Sequence, residues 1–156
     1  MRKTARLTAI PGGGFRLDGV LATSIDAVPD ETGFAVVGEG AWRLTWMAAE
    51  RGWLLHRLAA GGSEEVGQTT ASASPDVLSP ISVLLADGRL FRLASIGLTD
   101  PRVELARWDG PGPYVVGRPV AGAWELERTA AGLALDAPPE LWILISAELG
   151  RLDGWY

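Results

Sequence analysis

The sequence predicts a mainly β chain: an antiparallel closed barrel of about 10–12 strands around a buried, apolar C-terminal helix. Three observations carry this. Short apolar runs, several alternating at period two, recur from about Leu7 to Asp136. Twenty glycines and ten prolines supply turns in the number that many short strands need. The stretch Leu141–Leu152 is apolar on almost every side, so something must enclose it.

The strand signals run in order. "FRLDGVLATSI" (15–25), "GFAVVGEGAWRLTW" (33–46) and "GWLLHRLAAGG" (52–62) come first, then "ISVLLADGRLFRLASIGL" (81–98), "RVELARWDGPGPYVVGRPV" (102–120) and "GAWELERTAAGLALD" (122–136). Trp42-Arg43-Leu44-Thr45-Trp46 and Trp124-Glu125-Leu126-Glu127 alternate cleanly, which buries one face and wets the other. Trp42 and Trp46 share a face, as in a packed interior. Asp87-Gly88 reads as a two-residue hairpin turn. Residues 109–113 read as a stiff connection. The polar stretch 61–76 is either a long loop or a strand such as "EEVGQTTA" flanked by loops.

The terminal segment is expected to be a helix over about 138–152. Asp136 is a plausible N-cap, Pro138 and Pro139 suit the first helical positions, and Glu140 meets the positive end of the dipole. Gly150 or Gly154 would stop it. Leu141, Trp142, Leu144, Ile145 and Leu149 form its core, and only Ser146, Glu148 and Arg151 interrupt the apolar surface. A rival reading makes "LWILIS" a central strand; the Pro-Pro-Glu entry favours the helix.

A length of 156 residues fits one domain spanning 1–156, because halves of about 75 residues would each be marginal. Internal echoes between 10–60 and 86–140 leave chance and duplication both open: Phe15-Arg16-Leu17 with Phe91-Arg92-Leu93, Ser24-Ile25 with Ser95-Ile96, "FAVVG" with "PYVVG", "GAWRL" with "GAWEL".

Composition narrows function mainly by exclusion. The net charge is −5, from 14 basic and 19 acidic residues, which lacks the basic footprint of a nucleic-acid binder. Absence of cysteine excludes disulfides and thiol chemistry and suits a cytoplasmic setting. "MRKTARLTAIPGGG" has no apolar run of the roughly 7–15 residues that a secretory leader needs. A single lysine beside thirteen arginines, with no asparagine, reads as genomic base composition.

"RWDGPGPYVVGRP" (107–119), "GAWELERTAAGLALD" (122–136) and "PPELWILISAEL" (138–149) resemble, in layout, the tubby C-terminal-like superfamily. That group includes the LURP-one-related proteins and the phospholipid scramblases. The resemblance covers about the last third of the chain. It implies a barrel threaded by its own terminal helix and a largely non-enzymatic role, in some members at anionic membranes. The scattered arginines here depart from the clustered cations that such membranes require.

No catalytic residue or cofactor is assigned from the sequence. "PGGGFR" (11–16) lacks the Lys-Ser/Thr and helix of a phosphate loop. His56 has no nucleophile motif to serve. Asp26, Asp30 and Glu31 lack calcium-loop spacing, so no metal is expected. Seven tryptophans (Trp42, Trp46, Trp53, Trp108, Trp124, Trp142, Trp155) read as core filling before a stacking surface. Arg102, Arg107 and Arg118 are the candidate anion-binding cations, in a stretch where Arg102 and Glu104 share the solvated face. The expected role is non-catalytic binding of a protein partner or a membrane surface. The alternative is a carrier of a small apolar ligand in an open barrel.

Overall fold

A computed structural model describes residues 3–71, 80–95, 101–110 and 112–156. Within them, period-two alternation becomes twelve strands. These are β1 (Thr4–Ala9), β2 (Phe15–Asp18), β3 (Ile25–Pro29), β4 (Gly33–Val37), β5 (Ala41–Met47), β6 (Gly52–Ala59), β7 (Gly62–Thr70), β8 (Ile81–Leu85), β9 (Leu90–Ser95), β10 (Val103–Arg107), β11 (Val115–Val120) and β12 (Ala123–Arg128). Each pairs antiparallel with its chain neighbour. β1 closes on β12, with Thr4 opposite Glu127 and Leu7 opposite Trp124. Closure removes every sheet edge.

The inward residues of each strand form one core. Leu7, Phe15, Leu17, Leu44, Leu55, Phe91 and Leu126 are almost wholly buried, while their neighbours Arg6, Arg16, Arg92 and Glu125 face water. Burial of each large side chain contributes about 1.5–3 kcal/mol before entropy. Along the barrel axis runs α2 (Pro139–Leu152), in which every residue from Glu140 to Gly150 is buried. It packs chiefly on β6, β7, β8 and β2. Gly67 makes room for it: a Cβ there would come within 2.8 Å of Leu144 Cδ1. The enclosed helix is therefore correct, and the strand alternative for "LWILIS" is not.

Several local expectations need correction. The N-cap of α2 is Pro138, and no side chain caps it. Pro139 forces the preceding residue into extended backbone, which sets the boundary, and the Asp136 carbonyl instead accepts from Arg89 Nη1 at 2.7 Å. Gly150 does not stop the helix. Gly154, at φ +70, ends it in a Schellman motif: Trp155 N–H donates to Gly150 O at 2.9 Å and Gly154 N–H to Arg151 O at 3.1 Å. Ser146 and Glu148 are buried with their apolar neighbours. The Asp87-Gly88 turn has three loop residues, because Leu85 N–H bonds Arg89 O and Gly88 adopts φ +92. Of the stretch 61–76, the first part is strand β7 and residues 72–76 lie outside the described residues. A five-residue helix that the alternation did not indicate, α1 (Ala130–Ala134), is capped by Thr129 Oγ1, which accepts from Gly132 N–H at 3.1 Å.

The echoes fall on β2 and β9, β4 and β11, and β5 and β12, an offset of seven strands. Ile96 lies outside the described residues. Neighbouring strands run oppositely, so an odd offset reverses direction, and no rotation about the barrel axis superposes the two sets. Their shared pattern is the inward alternation any barrel strand needs: Phe15 and Phe91, Trp42 and Trp124, Leu44 and Leu126 all point in.

Helix packing yields one prediction here. Replacing an interior helical glycine by alanine ordinarily stabilises by up to about 1 kcal/mol. At Gly150 the new Cβ would lie 2.5 Å from Tyr156 Oη and 2.8 Å from two ring carbons. Tyr156, whose hydroxyl donates to Ala147 O at 2.5 Å, would be displaced. Gly150→Ala should therefore destabilise by about 1–2 kcal/mol in urea melts, and the sign should reverse in a Tyr156→Ala background.

Candidate functional site

With α2 inside the barrel, chemistry is left to the outer wall and the two mouths. One mouth surrounds the C-terminal end of α2. There Phe34, Trp46, Trp53 and Tyr156 form an aromatic cluster, with centroids 5.5 Å apart for Phe34–Trp53, 4.7 Å for Phe34–Tyr156 and 5.1 Å for Trp46–Trp53. Trp46 does share the inward face with Trp42, but it sits at the rim and is 38% exposed, where Trp42 is 4%. At the same end of α2 Leu152 is exposed and Tyr156 is partly exposed with its hydroxyl turned inward, and the Arg151 guanidinium lies 5.6 Å from the Trp46 ring centroid. Burial raises the Tyr156 phenol well above its usual range, keeping it a neutral donor.

Beneath this rim is a buried polar relay. Trp53 N–H donates to Thr69 Oγ1 at 2.8 Å, and the Thr69 hydroxyl donates to Glu148 Oε1 at 2.8 Å. Arg151 donates Nε and Nη2 to Glu148 Oε2 at 3.1 and 2.9 Å. A carboxylate within an apolar helix must find such partners, so Glu148 was the visible signal in the sequence. Trp124 Nε1 donates to Asp153 Oδ2 at 2.9 Å and ties β12 to the helix end.

The opposite mouth surrounds the start of α2. Arg57 pairs with Glu140, which is buried. Arg128 is 2% exposed, lies 4.9 Å from the Trp142 ring centroid, and donates Nη2 to Gly19 O at 3.0 Å. Period two places Arg128 on the inward face with Trp124 and Leu126, a signal present in "WELER". The loop after β2 borders a half-open hollow of about 650 Å³ lined by residues 18–24.

Arg102, Arg107 and Arg118 do not converge. Arg118 follows Gly117, the partner of Val103, so the register leads Arg102 and Arg118 toward each other at one end of the barrel. Arg107 ends β10 five residues further on, at the other end, where it adds to the field that holds the Asp87 carboxyl low. The main cause there is the Arg89 backbone N–H bond to Asp87. Arg118 faces acids: Glu125 is its cross-strand partner and Glu127 lies 3.7 Å away. Around the wall Arg118, Glu125, Arg6 and Asp18 are successive register neighbours, so the signs alternate. Exposed pairs of this kind contribute under about 1 kcal/mol each.

Other candidates have structural partners. Asp26 is bonded to Arg16 at 2.7 Å. Asp30 accepts from the backbone of Thr32, which chiefly lowers its pKa, and also from Gly33 and Arg43. His56 stands opposite Arg43 on β5 and Glu65 on β7. Of "PGGGFR", Pro11 to Gly14 lie in the β1–β2 connection and Phe15 and Arg16 open β2. Among the described residues no group of three His, Cys, Asp or Glu is placed to hold a metal. No helix among them is long and apolar enough to cross a membrane. The chain matches no protein-family model, no curated protein and no solved structure.

Proposed function

We propose that the protein is a non-catalytic binding module, in a cytoplasmic setting, that recognises a protein partner through the mouth around Trp46, Leu152 and Tyr156. One observation carries the reading: α2 fills the barrel, so recognition falls to the exterior. Of the exterior, the aromatic mouth has the composition of an interface core, with tryptophan, tyrosine and arginine adjacent. The wall, by contrast, alternates in charge, which suits solvation better than an anionic bilayer. Exposed Arg6, Arg16, Arg92 and Glu125 on the outer face also oppose a membrane-spanning barrel, whose outer band is apolar. A carrier for a small apolar ligand would need the volume that Leu141, Leu144 and Ile145 occupy.

A tubby-like architecture belongs to the same proposal. A closed barrel threaded by a C-terminal helix is the layout which that resemblance implies, and the dispersed cations argue against carrying over its lipid role.

The test uses a photo-crosslinker at position 46 of the full chain in cells. One dominant protein adduct is expected, lost in Trp46→Ser/Leu152→Ser with the crosslinker moved to Ala48, and retained in Arg92→Ser on the wall. Equal loss in the wall variant would count against the mouth. Vesicles rich in anionic lipid should capture little protein at physiological salt; strong capture abolished by Trp46→Ser would reassign the surface to membranes. Saturable uptake of an apolar fluorescent probe would favour the carrier.

A further inference from the structure

We propose, resting on the aromatic mouth as the partner-binding surface, that Tyr156 is a removable stopper. Its ring fills, from within the same chain, a slot that a partner's tyrosine side chain fills in its stead. Three elements build the slot. α2 supplies the floor: Gly150 has no Cβ, and one placed there would come within 2.5 Å of the Tyr156 hydroxyl oxygen. β4 and β6 supply the walls. The Phe34 centroid lies 4.7 Å and the Trp53 centroid 5.9 Å from that of Tyr156, tilted and edge-on, as aromatic neighbours prefer. At the inner end the Tyr156 hydroxyl donates to Ala147 O at 2.5 Å. A floor without a Cβ, aromatic walls and one acceptor at the depth of a para hydroxyl together specify a phenol.

The slot has an open side. Tyr156 is 37% exposed, so its place is reached from solvent once the ring swings out. Gly154, at φ +70, and the Trp155 N–H bond to Gly150 O end α2 before Tyr156 is reached, so rotation at Tyr156 breaks neither. One hydrogen bond and the aromatic contacts hold the ring, and an incoming tyrosine restores each of them, so the exchange is one of like for like. Around the slot, exposed Leu152 and the rim residue Trp46, which packs on Trp53, give the residues flanking that tyrosine an apolar surface. Burial, and then the charge of Glu148, raise the phenol's pKa, so the slot takes a neutral ring and rejects an anionic one.

The probe is p-cresol, the tyrosine side chain alone, compared with its methyl ether and its phosphate ester by calorimetry and thermal shift on the full chain. Tyr156→Gly should fold, because the barrel and α2 keep their packing, and should bind p-cresol saturably in the millimolar range. It should bind the ether about tenfold more weakly, since the Ala147 carbonyl then meets no donor, and the phosphate ester not at all. Wild type should bind p-cresol at least about tenfold more weakly than Tyr156→Gly, because Tyr156 competes for the slot. The chain has two tyrosines, so fluorotyrosine labelling reports on Tyr156 directly. In wild type, rising p-cresol should move the Tyr156 fluorine resonance toward that of free tyrosine and leave the Tyr114 resonance in place. Gly150→Ala added to Tyr156→Gly should remove p-cresol binding, because the new methyl takes the floor of the slot. Failure of Tyr156→Gly to fold, no p-cresol binding by it, binding that survives Gly150→Ala, or a Tyr156 resonance that p-cresol does not move would overturn the stopper. None of these readouts involves the partner: a missing cross-link at position 46 with phenol binding intact strikes the mouth reading instead.

Discussion

Leu144→Asp is expected to leave the chain without a cooperative unfolding transition. Leu144 is fully buried at the middle of α2, in contact range of Gly67 on β7. The change removes its apolar burial and introduces a carboxylate with no partner, a combined loss of at least about 4–5 kcal/mol. Domains of this size have total stabilities of about 5–15 kcal/mol, so little or nothing remains. Ile145→Asp should act alike. Truncation after Asp136 should leave an insoluble or molten chain, because the inward faces of β2, β6, β7 and β8 would lose the helix they pack on. Thermal and urea melts read the point variants, and an unchanged midpoint would contradict enclosure.

Glu148→Ala should cost about 3 kcal/mol by urea denaturation, the lower end of the range for breaking a buried ionic contact, because Arg151 is partly exposed and can turn to water. Thr69 cannot do so: it is buried, and its hydroxyl would lose its only acceptor while still receiving the Trp53 N–H. Glu148→Gln keeps an acceptor for Thr69 and should cost about half as much. The two variants therefore separate the hydrogen bond from the ion pair. Equal losses would show that charge alone matters; no loss in either would show that the relay does not fasten α2 to β6 and β7.

Much of the fold was legible because barrels and helices impose periods on their residues. Trp42, Leu44, Trp124 and Leu126 announced inward strand faces, and Leu141 to Leu149 announced enclosure. The sites were less legible. Arg102, Arg107 and Arg118 lie close in sequence, but pleat, register and strand length send Arg107 to the far end and place Arg118 among acids. Arg128 and Glu148 were visible as polar residues at apolar positions. Which groups would answer them, however, came from elements far away in the chain: Gly19 is separated from Arg128 by 109 positions and Thr69 from Glu148 by 79.

Local alternation and helix apolarity determined by themselves that this chain is a closed β structure around its own C-terminal helix, since each element's exposed or buried face follows from its immediate residues. Only the tertiary structure decided which mouth is aromatic, which buried charges are paired and where a hollow remains. Those properties depend on register and ring closure, which bring together residues that no sequence period relates.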